Sequence, residues 1–345
     1  MTDRSKTIVK FLLRFCLTAL FLIWVFSRIE LNDLWQSIKA ARIQYVFPVW
    51  AVTMISFWLR SVKMKYIMKE QQCNINTHTF FAVSCITAFY GLAMPGAISS
   101  GAKWMILKRA TGKGTNVLSA MFYNQLSIIV VMTTFGLAAL AITNPSEKLF
   151  GTTEFNWVLP LICIVSLILL LALCLLALSR RTADLFLKII TPVLRPLPEK
   201  LRRKAYLTLE QIAIYQTVGW AFHFKIAMLT AIASLAGNTL IQIFAALAAN
   251  IHVPMAIFIW LSSIVYILSR LPISLANTGP REMTLLGFLA IYGVHDSNAL
   301  VMSMILLSAH FFLAFIGAGY QMFWAAPSFR DTNDKTMENT ELQSS

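Results

Sequence analysis

The segment Trp157–Leu178, WVLPLICIVSLILLLALCLLAL, decides the fold class, because it runs for 22 residues without a charged side chain. A helix needs about 20 apolar residues to span the hydrocarbon core of a bilayer. The whole chain of 345 residues has the same character, since 58% of its residues are hydrophobic and only 13% are charged. A soluble domain has about 25% charged residues. These values exclude a large soluble catalytic domain and predict an all-α polytopic membrane protein.

The hydropathy pattern predicts about eight transmembrane helices. They are Val9–Ser27, Tyr45–Leu59, Val117–Thr143, Asn156–Leu178, Ile214–Ala236, Thr239–Ile251, Met255–Arg270 and Asn298–Ala325. Two further apolar segments, His78–Leu107 and Leu271–Val294, are broken by proline and glycine, and we expect them to be re-entrant from opposite sides, as in an inverted repeat. Residues 1–328 are expected to form one membrane domain, and the polar residues 329–345 a disordered cytoplasmic tail.

The net charge of +14 arises from 29 Lys and Arg against 15 Asp and Glu. Cytoplasmic loops of membrane proteins collect basic residues, and this origin is favoured over binding of nucleic acid. With the N-terminus inside, twenty basic residues fall in predicted cytoplasmic loops and four on the opposite side. The cytoplasmic set includes a predicted loop with Arg60, Lys63, Lys65 and Lys69 and the basic loop 179–210. We expect a multi-pass protein of the cell (inner) membrane with both termini cytoplasmic.

Both broken segments place proline, hydroxyl residues and glycine around a cation. The first contains Pro95, Gly96, Ser99, Ser100, Gly101 and Lys103. The second contains Arg270, Pro272, Ser274, Asn277, Gly279, Arg281 and Glu282. Matching breaks in two halves mark the binding site in many transporters, and free amides at half-helix ends suit an anion. We predict that these residues bind substrate; the alternative is that proline and glycine only kink packed helices while the cations reach lipid headgroups.

Glu282 is the one acidic residue that lies inside an otherwise uncharged apolar stretch, directly after Arg281. A charge at the bilayer centre costs about 2.5–3.5 kcal/mol on insertion scales, so a charged residue at this depth is functional by default. We predict that Glu282 balances charge at the substrate site. The structural alternative is a fixed ion pair with Arg281, Arg270 or Lys103 that holds the break in place.

The run Leu271–Glu282, LPISLANTGPRE, resembles a signature of the flippase-like membrane domain family, the transmembrane region of lysylphosphatidylglycerol synthase. Pro95-Gly96, Gly101 and Lys103 resemble the other break of that family. The resemblance implies a translocase that moves an anionic lipid between leaflets, such as an aminoacyl-phospholipid, a glycolipid or a polyprenyl-phosphate-linked lipid. The soluble synthase domain of some relatives is not expected here, and neither is aminoacyl transfer.

Enzymatic chemistry is the less favoured class of function. The five histidines form no HxxxH or HxH pair and the five cysteines form no CxxC, so we expect no metal site, no cofactor and inert buried thiols. One alternative is a polyprenyl-phosphate sugar transferase that uses Glu30 and Asp33 as external acids. Another is a non-catalytic partner of an envelope-biosynthesis enzyme. The expected partners are therefore an anionic lipid and the membrane, and the sequence does not predict an oligomeric state.

Overall fold

The computed structural model describes residues 31–93, 96–151, 156–178, 214–269 and 280–324. Within these ranges the chain forms twelve α-helices and no strand. The helices are α1 (Leu31–Ala40), α2 (Val46–Glu70), α3 (Thr77–Ala93), α4 (Gly96–Thr111), α5 (Gly114–Thr143), α6 (Ser146–Phe150), α7 (Val158–Leu178), α8 (Trp220–Thr230), α9 (Gly237–Ala248), α10 (Ile257–Leu268), α11 (Pro280–Ala290) and α12 (Asp296–Phe323). The predicted first span Val9–Ser27, the basic loop 179–210 and the tail 329–345 lie outside the described residues.

Five helices are long and apolar enough to cross a membrane, namely α2, α5, α7, the continuous helix from α8 to α9, and α12. The bounds of α5, α7 and α12 agree with the predicted spans to within three residues. Most side chains of α7 are exposed and apolar, as expected for a helix that faces lipid tails. The chain is therefore an all-α polytopic membrane protein.

The predicted separation of Ile214–Ala236 from Thr239–Ile251 is wrong. Residues 220–248 form one helix, in which a π-helical segment, Ala231–Ala236, joins α8 to α9. Gly237 has ordinary helical angles, φ −58° and ψ −52°. A Cβ atom at this position would collide with the side chain of Ser56 in α2. Gly237 is thus a small residue that lets two membrane helices approach closely, not a helix break.

The predicted cytoplasmic loop at residues 60–69 is also wrong, because α2 continues through all of it. Thr53, Ser56, Lys63 and Ile67 are buried and lie at spacings of three, seven and four residues, on one face of the helix. The prediction ended the span at the first cation, since charges usually mark a loop. The sequence signal for a longer helix is that polar residues continue at helical spacing beyond the predicted end of the span.

The first broken segment forms two helices, α3 and α4, on either side of residues 94–95, which the structure does not describe. Phe80 and Val83 of α3 share a hydrophobic cluster with Leu107 and Ala110 of α4. Residues equally distant from the break therefore meet, as in an antiparallel hairpin, in agreement with the predicted turn near Pro95. The helices contain 17 and 16 residues. At 1.5 Å per residue each is about 25 Å long, shorter than the hydrocarbon core of about 30 Å.

The second broken segment also lies between two helices that pack on each other, α10 and α11. Leu261 of α10 and Leu285 of α11 share a cluster, and the rings of Trp260 and Phe288 meet edge to face at 5.3 Å. These helices contain only 12 and 11 residues. The predicted full span Met255–Arg270 is therefore a short helix, because the break begins before the segment is long enough to cross a bilayer.

Buried residues form two main hydrophobic clusters, one for each hairpin. The first joins α2, α3, α4 and the start of α5, and the second joins α9, α10, α11 and α12. α12 connects the two halves, because Gly317 packs directly on the backbone of Cys85 in α3, where a Cβ atom would not fit. The described helices on either side of each break are thereby held within one helical bundle.

Candidate functional site

The first break contributes Lys103, which lies in the middle of α4 and is half-buried. Its Nζ atom donates a hydrogen bond to Oγ of Ser84 in α3, at 3.1 Å. Gly96 begins α4, while Ser99, Ser100 and Gly101 occupy the helix between Gly96 and Lys103; Ser100 is exposed, and Ser99 and Gly101 are half-buried. The predicted site residue Pro95 lies outside the described residues. The hairpin thus directs one cation of the predicted site towards its partner helix.

The second break is described from α11 onwards, where Pro280 is the first residue of the helix and Glu282 lies in the first turn. Proline at a helix start loses no hydrogen bond, and an acid in the first turn interacts favourably with the helix dipole. The other predicted residues of this break lie outside the described residues; they are Arg270, Pro272, Ser274, Asn277 and Gly279.

Arg281 and Glu282 form an ion pair, in which Nη2 of Arg281 lies 2.6 Å from Oε1 of Glu282. Ser303 of α12 donates from its Oγ to the same carboxylate oxygen at 2.8 Å. Nη2 of Arg281 also donates to the Ser303 carbonyl at 3.4 Å. Glu282 is only 5% exposed. The charge of the predicted acid is therefore neutralised within a network that connects the first turn of α11 to α12.

Lys63 is a buried cation that the sequence reasoning placed in a loop. Its side chain is 0% exposed. Its Nζ atom donates to Oγ1 of Thr230 at 3.1 Å and to Oγ of Ser127 at 3.5 Å. No carboxylate of a described residue lies within ion-pairing distance of Nζ. An ammonium group carries three donors, and the described partners of this one are two neutral hydroxyl groups.

Arg60 lies one turn before Lys63 on α2 and reaches the π-helical region of the long α8–α9 helix. Its Nε atom donates to the carbonyl of Ala233 at 3.2 Å, and Nη2 donates to Oδ1 of Asn238 at 2.7 Å. π-helical turns occur frequently at functional sites. Here the π-helical turn presents the carbonyl group of Ala233 to the Arg60 guanidinium, and this bond fixes the guanidinium group inside the bundle.

Electrostatic interactions link the cations of the two halves. Arg60 and Lys103 both act on the Lys63 ammonium group. Arg60, Arg281 and Glu282 all act on His310 of α12. The side chain of His310 itself is exposed. Arg60 therefore lies between the first group of cations and the Arg281–Glu282 pair.

The structure thus brings together part of the predicted site and adds two residues to it. Lys103 lies with Lys63 and Arg60, neither of which was predicted as a site residue. Arg281 and Glu282 form a second group, with Ser303 as an unpredicted partner. Lys225 also falls inside a predicted membrane span, but it is not part of this site. It is exposed, and its Nζ atom lies 3.6 Å from the centre of the Tyr66 ring.

The chemistry available in this interior is that of an anion-binding site. Four cations meet one described carboxylate, that of Glu282, and ammonium and guanidinium groups with neutral hydroxyl donors suit the oxygen atoms of a phosphate. Among the described residues no group of three or more His, Cys, Asp or Glu side chains is arranged to hold a metal ion.

Of the described thiols, Cys73 lies in the loop after α2, where burial raises its pKa.

Comparison with protein families identifies the chain. The family model for the lysylphosphatidylglycerol synthase TM region matches residues 11–317, a range that includes both broken segments and every described transmembrane helix except the last turns of α12. A comparison with curated proteins found no match. The family match supports a membrane lipid-related function, and it confirms the resemblance that the two breaks suggested. The chain belongs to the family of the lysylphosphatidylglycerol synthase transmembrane region.

Proposed function

We propose that this protein is a translocase that moves an anionic lipid between the two leaflets of the membrane. The observation that carries the proposal is the convergence of cations from both halves of the chain inside a bundle whose outer surface is apolar. Lys103, Lys63 and Arg60 come from the first half, and Arg281 comes from the second. The lipid is an aminoacyl-phospholipid, a glycolipid or a polyprenyl-phosphate-linked lipid.

The physical role of these cations is to lower the cost of moving a charged headgroup through the membrane. An unpaired charge in a medium of low polarity is strongly unfavourable, which is why headgroups rarely cross a pure bilayer. Lys103, Arg281 and the amide groups at the two breaks would hold the phosphate, while Glu282 limits the surplus positive charge. The acyl chains would remain in contact with the apolar outer surface, so that only the headgroup passes through the interior.

The proposal includes an orientation in the cell membrane with both termini in the cytoplasm. In this orientation Lys108 and Lys113, at the end of the first hairpin, face the cytoplasm, and residues 144–154 face outward. Single cysteines introduced at these positions distinguish the two sides with a membrane-impermeant thiol reagent applied to intact cells. Labelling is expected in residues 144–154 only. Strong labelling beside Lys108 would contradict both the re-entrant hairpin and the inverted repeat.

Translocation itself is tested in liposomes that contain the purified protein and a fluorescent lipid in both leaflets. Reduction of the probe by an impermeant reagent reaches only the outer leaflet, unless the protein exchanges lipid between leaflets. Phosphatidylglycerol and phosphatidylcholine carrying the same fluorophore separate anionic from zwitterionic substrates. We expect faster exchange of the anionic lipid, and loss of this exchange in the double variant Arg281→Ala/Glu282→Gln. A well-folded double variant with unchanged exchange would refute the assignment of this pair to the substrate site.

As part of this proposal the protein acts by binding and moving lipid, and not by covalent chemistry. The alternative of a sugar transferase depends on Glu30 and Asp33. Asp33 lies in α1, while Glu30 lies outside the described residues. Supplying polyprenyl-phosphate sugar donors to the purified protein and finding glycosyl transfer would replace the proposed function.

A further inference from the structure

Lys63 has a more specific role than general positive charge. We propose that Lys63 and Arg60 form a phosphate-binding site in the interior of the bundle, distinct from the Arg281–Glu282 pair, that receives the phosphate group of a lipid. This inference deepens the proposed function and rests on it. It is drawn from three features: the burial of Lys63, the neutrality of its partners, and the way in which Arg60 is positioned beside it.

The first feature is the state of the Lys63 ammonium group. It is fully buried, and its hydrogen-bond partners among the described residues are the hydroxyl groups of Thr230 and Ser127. Thr230 also donates to the carbonyl of Ile226 at 2.6 Å, and Ser127 to the carbonyl of Asn124 at 2.8 Å. Both hydroxyl hydrogens are thus directed into their own helices, and both oxygens are left to accept from Lys63. Two of the three ammonium donors are used, and one remains for a ligand.

The second feature is that no described carboxylate pairs with Lys63. A buried cation that lacks a carboxylate partner is unfavourable, and Arg60 and Lys103 increase the cost by repelling Lys63. A purely structural lysine would be easily replaced here by an apolar residue, since its partners are two hydroxyl groups that already bond within their own helices. An anionic ligand removes this cost, because it attracts all three cations at once.

The third feature is the guanidinium group of Arg60, which is held in place before a ligand arrives. Its bonds to Ala233 and Asn238 connect it to the π-helical segment and to α9. Gly237 lies between these two residues, and its close packing on Ser56 keeps α9 against α2. A positioned guanidinium one helical turn from an ammonium group offers two kinds of donor to one phosphate. The positions of Arg60 and Lys63 are set by α2, which makes the spacing rigid.

The test measures binding directly, without transport. The full-length protein in neutral detergent is titrated calorimetrically with short-chain phosphatidylglycerol below its micellar concentration, and with the diacylglycerol that lacks the phosphate. We expect Lys63→Gln and Arg60→Gln to weaken binding of phosphatidylglycerol at least about tenfold, since each removes a charged hydrogen-bond donor. The diacylglycerol is expected to bind weakly to every variant.

Two control variants remove the same charge outside the proposed site. Lys65 lies on the exposed face of α2, and Lys225 lies on the exposed face of α8 over Tyr66. Lys65→Gln and Lys225→Gln are expected to bind phosphatidylglycerol like the unmodified protein. Equal weakening in these controls would show that only overall charge matters and would overturn the site. If Lys63→Gln does not fold, the affinities of Arg60→Gln and Lys65→Gln for phosphatidylglycerol still test the site, because only Arg60→Gln is expected to bind more weakly.

Competition with inorganic phosphate identifies the source of the phosphate group. If millimolar phosphate displaces the lipid from the unmodified protein but not from Lys63→Gln, the site binds free phosphate. Lack of displacement, together with tight lipid binding that depends on Lys63, assigns it to a lipid headgroup, which is the expected result. Unchanged lipid binding in folded Lys63→Gln and Arg60→Gln proteins would overturn the proposal.

The two proposals fail in different ways. Lipid exchange between leaflets by a protein whose lipid binding does not depend on Lys63 or Arg60 would refute the phosphate site alone. Lipid binding that depends on Lys63, in a protein that exchanges no lipid, would refute translocation and leave the site in place.

Discussion

Lys63 and Arg281 are both cations in the interior of one helical bundle, but their charges are treated differently. Arg281 has a carboxylate next to it in the sequence, and Ser303 completes a network around the pair. The described partners of Lys63 are two hydroxyl groups, from helices distant in the sequence. Arg281 thus has a carboxylate partner, whereas the described partners of Lys63 are neutral. The comparison separates a basic group that is paired with an acid inside the protein from one that is held by neutral groups.

The largest expected effect comes from Arg281→Ala, which leaves Glu282 buried without its partner. Removal of one member of a buried ion pair typically costs about 3–5 kcal/mol of folding stability. The further change Glu282→Gln should restore most of this loss, because it removes the unpaired charge and preserves the shape. Denaturant unfolding in detergent, followed by tryptophan fluorescence, measures both variants. Arg109→Ala, which removes an exposed cation of α4, is the control and should change stability little.

The next effect concerns the contact that holds the two halves together. Gly317→Ala places a Cβ atom against the backbone carbonyl of Cys85, and a backbone group cannot rotate away. Overpacking of this kind costs about 1–3 kcal/mol. Gly319 lies two residues further along α12 with open space around it, so Gly319→Ala should stabilise the helix by up to about 1 kcal/mol. Thermal unfolding measures both variants. Melting temperatures that shift in the same direction would contradict this packing.

A smaller effect of opposite sign is expected at Lys63. Lys63→Met replaces an uncompensated buried cation by an apolar side chain of similar length, so stability in the absence of lipid should rise by about 1 kcal/mol or more. The same change should reduce the stabilisation that added phosphatidylglycerol provides, because less lipid binds. Melting temperatures with and without the lipid give both quantities. A loss of stability in lipid-free Lys63→Met would show that the fold itself depends on Lys63 and would contradict its assignment to ligand binding.

The smallest effect is expected from Glu30→Ala combined with Asp33→Ala. The proposed function assigns no role to these acids, so lipid exchange in liposomes should remain as in the unmodified protein. Abolished function in a well-expressed double variant would favour the sugar-transferase alternative. It would also show that the acid that matters is not Glu282, and the comparison of the two interior cations would lose its functional meaning.

Much of the fold followed from local sequence. Runs of apolar residues indicated α5, α7 and α12 with nearly correct ends, because the length needed to cross a bilayer is set by its thickness. Proline and glycine indicated both breaks, since they disturb helix geometry wherever they stand. The pair of Arg281 and Glu282 was visible because its members are adjacent. Each of these features depends on neighbours in the chain.

Two of the errors have one origin, which is that a residue's chemical type does not reveal its neighbours in space. The predicted spans were separated at residues 237–238, but the role of Gly237 is to let α2 approach. Lys63 was interpreted as a loop residue, but it lies on the buried face of a helix that continues past it. In both cases the decisive partner comes from a distant part of the sequence, Ser56 for Gly237 and Thr230 for Lys63.

The sequence by itself therefore determined the class of the protein, three of its membrane helices, its family and the existence of two broken segments, because hydrophobicity and backbone geometry act locally. Only the tertiary structure decided which buried basic groups have a carboxylate partner and which are held by hydroxyl groups. The reason is electrostatic: the cost of a buried charge depends on the groups within a few ångströms of it, and around Lys63 these groups are contributed by α5 and α8, more than sixty residues away in the chain.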